Sequence, residues 1–118
     1  MIKVTIYKTD KHEYVGFDAL GHAGFADEGM DIVCAAASAL IINTINAIER
    51  YTSDETSVVT DDSEGAQGLI QFRFTGGRPT HDAELLLKTM ILGLEEIEDD
   101  SDYEPYIDII FNEVQYSL

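Results

Sequence analysis

Cysteine is almost absent. The 118 residues contain one, Cys34, so no disulfide framework can form within the chain. Basic residues are scarce too: 7 Lys and Arg stand against 23 Asp and Glu, a formal net charge of −16. Nucleic-acid affinity rests largely on cationic side chains that displace counterions from phosphates, so direct DNA or RNA binding is not expected. Long hydrophobic runs are missing as well. The longest, Ile32 to Ile42 broken only by Ser38, falls well short of the roughly 20 residues that cross a bilayer, and no membrane span is expected. A signal peptide needs an unbroken apolar stretch behind a basic start. Met1-Ile2-Lys3-Val4-Thr5-Ile6 instead alternates, so the expected compartment is a reducing cytoplasm.

Without linker or repeat, residues 1–118 read as one soluble domain, long enough to bury roughly two-thirds of its unfolded surface. Its acidic field favours encounter with a basic protein or peptide tail. Ile2, Val4 and Ile6 alternate with Lys3, Thr5 and Tyr7, the period of a half-buried strand over 2–8. Residues 13–20, with Tyr14, Val15 and Phe17, supply a hairpin partner. The stretch Gly21 to Gly29 follows neither period and carries Gly21, Gly24 and Gly29, so it reads as a loop with unusual backbone angles open to it. Asp31 stands before the apolar run as an N-cap, and the helix it begins continues to about Tyr51. That helix is apolar nearly all round in its first half, which calls for cover from a second helix or a partner subunit.

Ser57 to Thr60 and Leu69 to Phe74 flank a turn-rich stretch and form a second hairpin. After Thr75-Gly76-Gly77-Arg78-Pro79, the spacing of Ala83, Leu86, Leu87, Met90, Ile91, Leu94 and Ile97 predicts a helix over 81–98. The carboxylates from Glu95 to Glu104 read as a solvated helix end, because their spacing lacks the glycine-containing ligand ladder of a calcium loop; neither a metal nor another cofactor is expected. Residues 106–114 give a last strand. The order ββαββαβ predicts a two-layer α+β domain, a mainly antiparallel sheet of about five strands with two helices.

The chemistry centres on Cys34. A thiol near the start of a helix lies close to unpaired amides and the positive end of the dipole, which favour its anionic, nucleophilic form. The alternative is a small buried hydrophobe in an alanine-rich helix. His22 lies twelve positions earlier, within reach through the glycine loop, where its imidazole would take the thiol proton and later protonate an amine leaving group. Otherwise it is an exposed loop histidine. Amides at the helix start, that of Cys34 among them, are candidate oxyanion donors. Asp31 caps the helix or orients His22. Ser38, one turn beyond Cys34, faces the same way and could hydrogen-bond near the thiol.

The residues Gly21-His22-Ala23-Gly24-Phe25-Ala26, Gly29 and Asp31-Ile32-Val33-Cys34-Ala35-Ala36-Ala37-Ser38 resemble the signature of the bacterial ribosomal-processing cysteine protease family, Prp, and the resemblance extends over essentially the whole chain. It implies a cytoplasmic, homodimeric endopeptidase with Cys34 as nucleophile and His22 as general base. The implied substrate is the N-terminal extension of large-subunit ribosomal protein twenty-seven, a basic partner matched to the acidic chain. The rival reading is a non-catalytic acidic binding factor for basic ribosomal proteins.

Overall fold

The computed structural model of the chain describes residues 1–21, 28–63, 65 and 68–115. Strands β1 (Ile2–Lys8) and β2 (Tyr14–Leu20) are followed by helix α1 (Glu28–Tyr51), strands β3 (Thr56–Asp61) and β4 (Leu69–Phe74), helix α2 (His81–Asp99), a short 3-10 turn and strand β5 (Ile107–Glu113). The expected ββαββαβ order holds. The strands lie side by side as β3-β4-β2-β1-β5. Both expected hairpins form, β1 with β2 and β3 with β4, and β2 joins them antiparallel to β4. β5 runs parallel to β1, with Ile2 opposite Ile107, so the sheet is mixed.

Register places the large buried strand residues on one face. Ile6 stands opposite Phe17 and Phe17 opposite Phe72, while Val4 meets Ala19 and Ala19 meets Ile70. Against this face pack Met30, Val33, Ala37, Ile41, Ile45 and Ile48 of α1 and Ala83, Leu87, Met90 and Leu94 of α2, in one continuous buried cluster. By length and composition alone α1 could cross a bilayer, but this stripe is packed into the sheet. α2 supplies the second cover that α1 needs. A Cβ at Gly93 would stand 2.9 Å from a Leu40 methyl carbon, so the glycine allows the two helices their close approach.

The other face of the sheet mixes apolar residues such as Val59 and Ile110 with a polar cluster. Tyr7 Oη donates to Asp18 at 2.8 Å, Arg73 Nη2 lies 2.9 Å from Asp18 Oδ1, and the guanidinium stacks 4.4 Å from the Tyr7 ring centroid. Arg73 Nη1 also donates to the carbonyls of Phe17 and Phe72, tying β2 to β4. Burial, then the Asp18 carboxylate, push the Tyr7 hydroxyl above its ordinary pKa.

α2 is held at its start by a relay. Thr80 accepts from the Ala83 amide as N-cap, and Asp54 in turn accepts from the Thr80 amide at 2.8 Å and its hydroxyl at 2.6 Å. Burial opposes ionisation of Asp54, but the hydrogen bonds from Thr80 and Thr52 outweigh it and hold the carboxyl below its usual range. A carboxyl lowered on folding stabilises the fold above its unfolded value, near pH 4, and that contribution fades as pH falls through the folded value. Asp54→Asn should therefore cost about 1 kcal/mol at neutral pH by urea unfolding. The gap from the parent should narrow below about pH 4; a gap constant from pH 7 to about pH 2 would contradict this account.

Candidate active site

α1 begins at Glu28, three residues before the expected start at Asp31. Packing is the reason. Met30 is buried on the same stripe as Val33, Ala37 and Ile41, at spacings of three and four, and only a helix that already includes Met30 can put it there. The N-cap role expected of Asp31 is thus corrected: Asp31 lies inside the first turn, with an exposed side chain. Gly29 is corrected too, since it belongs to α1 rather than to the loop. The penalty of a helical glycine, about 1 kcal/mol, is outweighed by the packing of the turns that follow.

Gly21 behaves as a loop residue. Its φ of +93° is left-handed, and a Cβ there would meet the Met1 carbonyl oxygen at 2.5 Å, so the chain leaves β2 through a conformation that suits glycine alone. His22 and Gly24 lie outside the described residues.

Cys34 occupies the second turn of α1, half-buried and packed against the core from its edge. It is therefore not a sealed core thiol. An amide in the second turn belongs to the i to i−4 ladder, so the oxyanion role considered for the Cys34 amide does not fit this helix. The helix amides without an intrahelical acceptor are those of the first turn, starting at Glu28. The dipole field fades over that same turn and acts more weakly on Cys34 than a cap at Asp31 would have allowed. Ser38 is half-buried one turn further along, on the same flank as Cys34. Further along still, a groove opens between α1 and β3, lined in part by Ile42, Ile45 and Val58. Reading the sequence missed it: Val58 and Val59 are adjacent apolar residues on β3, and only the fold shows which of the two lines the groove.

The family model for cysteine protease Prp matches residues 1–108. This chain belongs to the Prp family. It is a cysteine protease. The ribosomal processing cysteine protease Prp of Staphylococcus aureus is 35% identical over 101 residues, covering 85% of this chain and 91% of the relative. A crystal structure of the S. aureus Prp protease in complex with a substrate peptide superposes with a TM-score of 0.84 at 32% identity, covering 95% of this chain and 100% of that one. A second, of the S. aureus protease with a covalently linked product peptide, gives a TM-score of 0.80 at 32% identity over the same shares of the two chains. The Prp structures share the α+β fold and element order described above.

Proposed function

We propose that this Prp-family protease is a cytoplasmic ribosomal-processing enzyme that removes the N-terminal extension of large-subunit ribosomal protein twenty-seven. The observation that carries the reading is the half-buried Cys34, the chain's sole thiol, at the edge of the core in the second turn of α1, in a family whose S. aureus member has been captured with a covalently linked product peptide. His22 takes the thiol proton as Sγ attacks the scissile carbonyl carbon. The C–N bond then breaks, and the imidazolium returns the proton to the departing amine. Water, activated by the same imidazole, hydrolyses the thioester and frees the acid product together with the thiol. Amides of the first turn of α1 serve as oxyanion donors. Asp31 orients His22, and Ser38 hydrogen-bonds beside the sulfur. The glycine loop closes over the peptide and brings His22 to Cys34 on binding.

The net charge of −16 suits a basic substrate. Exposed Leu85 and Leu92, seven positions apart on one side of α2, support assembly as a homodimer. Mass spectrometry of the ribosomal precursor after incubation with the protein tests the assignment. The expected result is a single N-terminal cut whose rate falls with added salt; an intact precursor would refute it.

A further inference from the structure

The groove between α1 and β3 has a floor of Ile42, Ile45, Val58 and Ile70 and carries Glu49 and Asp62 on its lining. Its helical side lies on the flank that Cys34 starts: Ser38, Ile42, Ile45 and Glu49 follow Cys34 at four, eight, eleven and fifteen residues, which keeps them on one side of a helix. Leu40, by contrast, turns toward Gly93 of α2, so this flank faces away from the second helix. At 1.5 Å per helical residue, Ile42 and Ile45 stand about 12 and 16 Å along the axis from Cys34. An extended peptide covers that distance in about four or five residues.

We infer that this groove is a remote substrate subsite: it takes one apolar side chain of the peptide, four or five residues from the bond cut at Cys34, with a neighbouring basic side chain against Glu49 and Asp62. The inference rests on the protease reading above. Three observations favour a peptide over other occupants. The helical wall of the groove shares the flank of α1 that carries Cys34. Its volume of about 320 Å³ suits one or two side chains rather than a folded surface. Its two carboxylates complement a basic segment. β3 is also an edge strand, so one row of its backbone groups points away from the sheet and is available to an extended chain.

Binding to the Cys34→Ala protein, read by fluorescence anisotropy, separates this inference from catalysis. The probes are two labelled peptides copied from ribosomal protein twenty-seven around its processing site, one reaching about seven residues to either side of the bond and one about two. The long peptide should bind at least about tenfold more tightly at low salt. Ile42→Ser, or independently Val58→Ser, should bring the long-to-short ratio close to one. Both positions are partly exposed, 48% and 37%, so the fold should tolerate serine, and thermal melts check this. Glu49→Lys with Asp62→Lys should weaken the long peptide and flatten its salt dependence. Equal affinities for the two peptides, or a ratio indifferent to both serine variants, would overturn the subsite. So would sedimentation showing that Ile42→Ser splits a dimer while the ratio stays put, because the groove would then hold a second copy. Wild-type cleavage without any length dependence defeats the subsite alone, whereas length-dependent binding without cleavage defeats the catalytic reading and leaves the subsite standing.

Discussion

Cys34→Ala is expected to lower kcat/KM for the precursor by at least about 10⁴-fold, because on the proposed mechanism it removes the nucleophile and with it the acyl-enzyme route. The melting temperature should barely move. The side chain is half-buried at the edge of the core, and alanine keeps the helix while deleting only a sulfur. His22→Ala should cost less, about 10² to 10⁴-fold, the usual range for a general acid–base group. The double variant should be little worse than Cys34→Ala alone, since base and nucleophile act in one step. Steady-state kinetics on the ribosomal precursor provide the check. Additive losses would mean that His22 acts elsewhere, and a cleaving Cys34→Ala protein would end the covalent mechanism.

Much of the scaffold was legible because its signals are local. The alternation of Ile2, Val4 and Ile6 and of Ile70, Phe72 and Phe74, together with the three- and four-residue spacing from Ala83 to Leu94, each report which side of an element is buried. The beginning of α1 was misread for the opposite reason. Asp31 is a good capping residue in isolation and Gly29 a poor helical one, yet Met30 has to reach the core, and long-range burial outweighs local preference. The parallel pairing of β5 with β1 was hidden because it joins the two ends of the chain, and no neighbouring residue encodes it. The candidate site divides in the same way. Cys34, Ser38 and the His22 loop stand out as a compact motif, whereas the groove assembles Ile42, Val58 and Ile70 from three separate elements, and periodicity within any one of them cannot announce it.

The largest effect on stability is expected at Phe72, the residue that joins the two hairpins beneath α1. It is fully buried, its ring stacks on Phe17 with centroids 5.3 Å apart, and it meets Phe74 edge-on at 5.1 Å. Phe72→Ala removes both ring contacts and leaves a cavity in a single continuous core, at an expected cost of about 3–5 kcal/mol. Against a total stability of about 5–15 kcal/mol for a domain of this kind, that removes between about a fifth and all of it, and it depopulates the folded state at 37 °C where the total lies near the low end. Phe72→Leu, which keeps most of the volume, should cost markedly less. Urea unfolding measures both. If the core is as continuous as the register of β2 and β4 implies, protease activity should fall in proportion to the folded fraction, with KM for the remaining enzyme unchanged. Phe72 belongs to the buried core and takes no part in the proposed chemistry. A large loss of turnover at unchanged stability would instead mean that this strand pair sets the position of α1, and with it the thiol, more finely than packing alone requires.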